Sequence, residues 1–284
     1  MWYNKNAQIK NTKNLFRLII VLVFFNLYTT EGFSQNKIDG FYKGQGNMDF
    51  VLGGGIEGAA NYFAGYELVG LGRLISNVNF FYAVGATDWF DINLSVPFVM
   101  ISSSYGLQDG SLYLKFRLFE KEMDKGKLSL TVAPGFSRNL TNYQTEGFSA
   151  IGQQATTFDL RPLVHFQWNS GWFITGQSSY LYRLDPVPPS VNGGLKVGYA
   201  AANYYYDFWI DHQTSFGGLD YQGTPAPTTF RELGVDYTKI GGTFYTPIKK
   251  RWGFFAGASF VVFGRNVGQG AALNLGFVFK VKPE

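Results

Sequence analysis

Two histidines are the first place to look for chemistry in this 284-residue chain without cysteine. His165 lies in "FDLRPLVHFQW", in period-2 step with Asp159 and Arg161, and His212 follows Asp211, with Thr214 and Ser215 close behind. A hydrolase would need a serine within reach of a histidine that a third polar group orients. On a regular strand His212 and Ser215 point to opposite faces, so that pair does not form. Two histidines without supporting spacing make no metal site, and the lack of cysteine removes thiol catalysis, Cys-zinc sites and a lipid anchor on an N-terminal cysteine. "GGG" at 53–55 has no following helix and no Lys-Ser/Thr, so it is no phosphate loop; glycine in a strand permits bending or close backbone approach. "NLT" at 139–141 fits a glycosylation acceptor, a three-residue match that carries little information by itself. No catalytic residue, metal ligand or cofactor is expected.

What remains is a set of charged residues recurring on one face of strand-like segments: Asp91, Lys115, Arg117, Asp159, Arg161, His165, Lys196, Asp207, Asp211 and Asp236. In "SLYLKFRLFE" (111–120), Leu112, Leu114, Phe116 and Leu118 alternate with Tyr113, Lys115, Arg117 and Phe119. The same contrast of an apolar face and a mixed face recurs in 90–101, 127–137, 158–168 and 271–280. A water-soluble sandwich would carry more charge on its mixed face than a chain with 15% charged and 18% aromatic residues supplies.

The elements that must position these residues are twelve strands, predicted at 47–57, 74–86, 90–101, 110–120, 127–138, 156–168, 172–183, 193–202, 205–216, 231–246, 253–264 and 270–281. Their connections alternate. Short turns are expected at 86–90, 121–126, 169–171, near Asn203 and at 247–252. Longer loops are expected at 58–73, 102–109, 140–155, 185–192 and 218–229, with a shorter one at 265–269. Short turns at one end and long loops at the other describe an all-β, antiparallel, up-and-down transmembrane barrel. Trp89, Trp168, Trp172 and Trp252 flank the short turns, where a membrane-interface girdle would put them. Within hydrocarbon no water satisfies an open strand edge, so the sheet must close.

Ahead of the strands, Lys5, Lys10, Lys13 and Arg17 precede the apolar run "LIIVLVFFNL", and Gly32 and Ser34 follow it. This reads as a signal peptide over 1–34, with a barrel over 35–284. Its removal takes away four basic residues and one acid, so the net charge falls from +4 to +1 and no nucleic-acid partner is implied.

Residues 85–120 carry a family resemblance. "GATDWFDINLSVPFV" and "GLQDGSLYLKFRLF" resemble the outer-membrane proteins named after the MetA pathway of phenol degradation. Gly85, Thr87, Asp88, Pro97, Gly106, Leu107 and Asp109 fit that family's turn and strand motifs, while "APGFS" (133–137) keeps only Pro134 and Gly135 of a later one. The resemblance implies a transporter-like barrel admitting small, often hydrophobic or aromatic, compounds. The expected location is the outer membrane of a Gram-negative cell, reached by export. The expected role is passive or facilitated passage of small solutes. The expected partners are outer-membrane lipid, the barrel-assembly machinery and a small-molecule solute. The alternative is a non-conducting structural or adhesive barrel that binds partners through the loops at 140–155 and 218–229.

Overall fold

A computed structural model describes residues 38–282; the signal peptide expected over 1–34 lies outside them. The chain forms β1 (Met48–Ala64), β2 (Glu67–Val69), β3 (Arg73–Gly85), β4 (Phe90–Ile101), β5 (Ser104–Leu107), β6 (Asp109–Met123), β7 (Gly126–Asn139), β8 (Thr157–Trp168), β9 (Trp172–Arg183), β10 (Ser190–Ala200), β11 (Tyr205–Ser215), β12 (Asp236–Pro247), β13 (Trp252–Arg265) and β14 (Val267–Val281). Each long strand pairs antiparallel with its sequence neighbour, and β14 closes on β1 from Met48↔Val281 to Phe63↔Val267. β2 is a short hairpin arm on β1. β5 continues β6 across Gln108, both pairing with β4. The remaining strands make a closed barrel of twelve, as the alternating pattern requires.

The pleat sorts side chains by solvent. Leu52, Leu160, Phe208, Leu275 and Phe277 are each more than half exposed. Such a belt of large apolar side chains around every strand is stable against hydrocarbon and costly against water. Inward positions hold Asp91, Lys115, Asp159, Arg161 and Lys196, all buried. This is the architecture of an outer-membrane barrel. Trp89, Trp168, Trp172 and Trp252 are exposed beside the short turns. On the rim near Trp172, Tyr199, Tyr204 and Tyr206 stack on one another at 5.8–6.3 Å between ring centroids.

Three expectations about elements are corrected. The loop expected at 58–73 is largely strand, because β1 runs to Ala64 and β2 folds back on it. The loops expected at 102–109 and 265–269 are tight turns at Ser102–Ser103 and Asn266, with Ser102 and Asn266 in the left-handed region at φ 53° and 52°. These strand ends are rich in Gly, Ala, Asn, Gln and Ser, weak strand formers that the neighbouring ladder nevertheless holds extended. Third, Phe119 points outward. A bulge places Arg117 opposite Thr131 and Phe119 opposite Leu130, so Leu118 is the extra residue. Leu118 and Phe119 are then both exposed, at 63% and 49%.

Candidate functional site

Inside the barrel lies a segment that the strand pattern does not reveal. Residues 38–47 occupy the lumen, leaning on the β6–β10 wall. Ile38 packs with Tyr113, Ala133 and Leu163. Phe41 sits edge-on to His165 and Phe173, at 4.7 and 5.0 Å between centroids. A Cβ at Gly40 would overlap the His165 ring, so only glycine lets the backbone pass there.

Lys115 is the anchor of this segment. It is 1% exposed and lies 3.5 Å from both Asp91 and Asp39. It donates to the Phe41 carbonyl at 2.5 Å, and its ammonium lies 4.1 Å from the centre of the Tyr42 ring. The Arg117 guanidinium lies 4.2 Å from the same ring and pairs with Glu120. The Tyr42 hydroxyl is 2.9 Å from the Thr131 hydroxyl. The Lys43 backbone N–H donates to Asp91 at 3.2 Å, while its ammonium pairs with Asp49 at 2.7 Å. A buried cation left without such partners would cost several kcal/mol, which is why its carboxylates and carbonyl converge here.

The other inward charges form pairs and networks on β8 to β12. Arg161 bonds Asp159 at 3.0 Å, Gln177 at 2.9 Å, Ser179 at 3.1 Å and Asn192 at 3.2 Å. Tyr113 donates to Asp159 at 2.7 Å. Asp211 accepts from Asn192 and Tyr237, and Lys196 lies 3.3 Å from Asp207. The His165 Nδ1 is 2.7 Å from the Thr175 hydroxyl. Asp236, at the long-loop end, accepts from the Ser215 N–H and hydroxyl and from Tyr66. His212 is exposed on the outer face, bonded to Thr214 and Thr238, while Ser215 is buried on the inner face.

The motifs behind the family resemblance acquire structural roles. At the short-turn end, Gly46 donates to the Gly85 carbonyl at 2.8 Å and Gln45 to the Asp88 carboxylate at 3.0 Å. The turn beginning at Gly85 therefore holds the inserted segment where it crosses the mouth. At the other end, the Leu107 carbonyl accepts from Thr141 and Asp109 accepts from Tyr143, both at 2.7 Å. Burial, with Asp109 beside it, pushes the Tyr143 hydroxyl well above its ordinary value, so it stays protonated and donating. Tyr143 and Ile151 pack on Val99, Ile101 and Ile75, tucking the loop at 140–156 into the mouth.

The loop at 216–235 joins it. Gln153 donates to the Leu233 carbonyl at 2.9 Å, and Arg231 donates back to the Gln153 carbonyl at 3.0 Å. Glu146 accepts from the Thr229 hydroxyl and the Phe230 N–H. Slight burial acts to raise the Glu146 carboxyl, but these donors outweigh it and hold the group below its ordinary value. Arg265 and Asn266 tie down the base: Asn266 accepts from Gly65 and Tyr221 and donates to Leu219 and Gly234.

A cavity of about 1210 Å³ runs past the inserted segment along the wall made by β11–β14, β1, β3 and β4. It touches Ala200 and Lys249 at the short-turn end and Ala150 and Gln153 beneath the loops. Sequence reading missed Asp39, Tyr42 and Lys43, which precede the first strand, and Trp209, the one tryptophan of the barrel away from the rim. The charged and aromatic run "DGFYKGQGN", too polar for a strand and too aromatic for a free linker, is the signal that was present.

Among known proteins, no family model matches the chain, and no curated protein matches its sequence. Solved structures do. The COG4313 outer membrane channel from Pseudomonas putida F1 superposes with a TM-score of 0.66 at 13% identity, covering 88% of this chain and 100% of that one. The NanC and KdgM porins follow at TM-scores of 0.46 and 0.45, with 12% and 8% identity, each covering over four-fifths of this chain and nearly all of its own. The likeness is one of fold.

Proposed function

We propose that the protein is an outer-membrane channel for small solutes, narrowed from within by its residues 38–47 and from outside by its two clasped loops. The observation that carries this reading is the cavity beside the inserted segment, whose lining reaches from residues at the short-turn end to residues beneath the loops. A barrel built only for mechanical support would gain stability by filling that space, since interiors pack closely where nothing must pass. The balance of paired charges on the lining favours selection by hydrogen bonding and shape over simple charge exclusion. Covalent chemistry forms no part of the reading: His165 is turned to a threonine and His212 to the outer face. Membership of the family named after the MetA pathway is part of the proposal, supported by the positions of Gly85, Asp88, Leu107 and Asp109 at the two constrictions. Planar-bilayer recordings of the refolded chain test it. Discrete conductance steps are expected; neither current nor solute uptake into liposomes would leave the adhesive alternative.

A further inference from the structure

The cavity ends, at the short-turn mouth, in a group of cations that no acid neutralises. Among the described residues, the acids lining this half of the cavity are Asp39, Asp49, Asp91 and Asp207. They share three lysines: Asp39 and Asp91 flank Lys115, Asp207 lies 3.3 Å from Lys196, and Asp49 bonds Lys43 at 2.7 Å. Lys249, Lys250, Arg251 and Lys280 line the same mouth. None of these four has a carboxylate within salt-bridge reach among the described residues. Asp49 faces Lys280 across the β1–β14 ladder, but the inserted segment engages it through Lys43.

Neutral groups hold these cations in place. The Lys280 N–H donates to the Arg251 carbonyl at 2.7 Å, which fixes the end of β14 against the turn at 248–251. The Lys280 ammonium lies 4.6 Å from the centre of the Tyr245 ring. That ring reaches it from β12 by crossing β13 at Gly253, where a Cβ would overlap the phenol. A ring face orients an ammonium without cancelling its charge. A cleft lined by one sign of charge concentrates the opposite sign, so this mouth is arranged to receive an anion.

Next to the cations the lining turns apolar. Tyr245 pairs with Phe255, Val278 with Val51, and Val51 with Phe81, and all five line the cavity. The Phe255 ring lies across Gly276 and Gly53, where a Cβ would press into it. Phe255, Val51 and Phe81 keep part of their surface exposed to the lumen. Val278 stands two residues from Lys280 on the same face of β14, about 7 Å along the strand, a spacing that one six-membered ring bridges. We infer that this mouth binds small carboxylates carrying an apolar, ring-sized body. The carboxylate meets Lys280 and the cations of the turn, and the ring lies on Phe255, Val278 and Val51. An uncharged aromatic solute leaves the cations unmatched, and a small hydrophilic anion leaves the apolar strip bare. This rests on the channel reading and adds a charge preference at one mouth to the balanced pairs deeper in the lumen.

The test is titration of the full chain, refolded in detergent, with benzoate. Benzamide supplies the same ring without the charge, acetate the charge without the ring, and protein-free micelles the background. Benzoate is expected to bind more tightly than either. Lys280→Met should weaken benzoate about 2- to 10-fold and leave benzamide unchanged, with heat-modifiable migration confirming the barrel. Lys249→Gln combined with Lys250→Gln, on an exposed turn, should weaken benzoate in the same direction, and so should added KCl on the unaltered chain. If Lys280→Met does not fold, the turn variant decides. Benzoate binding no tighter than benzamide, or undiminished in the folded variants, overturns the site. KCl conductance of the same preparation judges the channel separately: current without benzoate binding removes the site and leaves the channel, while binding without current keeps the site and removes the channel.

Discussion

Replacing Lys115 by methionine should unplug the barrel. Lys115 and Asp91 are cross-strand partners on β6 and β4 and remain neighbours whether or not residues 38–47 are seated. What the substitution removes from the seated state is the charged donor to the Phe41 carbonyl and the cation over the Tyr42 ring. A hydrogen bond from a charged group contributes about 1.5–3 kcal/mol, and a desolvated cation–π contact about 1–2 kcal/mol. Asp39 adds little, because its side chain is 43% exposed. The seated state therefore loses about 2.5–5 kcal/mol, a shift of roughly 10²- to 10⁴-fold in the seating equilibrium. Asp91, 1% exposed, is meanwhile left without its cation under the segment and gains hydration when the segment leaves. Single-channel recording reads this as a rise in open probability and in conductance, with heat-modifiable migration confirming an intact barrel. An intact Lys115→Met barrel with wild-type open probability and conductance would refute the anchor.

Val164→Lys, on a lipid-facing position 51% exposed near the middle of β8, should cost about 2–4 kcal/mol and reduce the heat-modifiable fraction on refolding. Asn266→Ala removes two acceptor and two donor bonds from a residue with φ 52°, so the loop at 216–235 should become sensitive to protease while the barrel stays resistant. The Glu146 clasp should depend on pH in a defined direction. A carboxylate held below its ordinary 4.5 stabilises the clasp above that pH and loses the contribution as pH falls through the depressed value. Protease nicking of the loop at 140–156 should therefore rise only below about pH 4.5, and Glu146→Gln should raise it at neutral pH.

How much of this was legible in the chain differs by element. Period-2 alternation alone told lipid face from lumen face in β4, β7, β8 and β14, because a pleated strand in a closed sheet has only two sides to offer. The alternation of short turns and long loops told the topology, since antiparallel neighbours need no crossover. The bulge at Leu118 was invisible, because one inserted residue leaves no mark on composition and shows only when β7 fixes the register. The strand ends around Gly58 and Gly268 were read as loop, since their extension comes from the β1–β14 ladder and not from their own propensity. The charged residues expected on the inner face could be named strand by strand, but their partners could not. Lys115 meets Asp39 and the Phe41 carbonyl only because the chain ahead of β1 turns back into the barrel. Local sequence determines which way a side chain points; only closure of the sheet determines what it points at, because register and shear are properties of all twelve strands together.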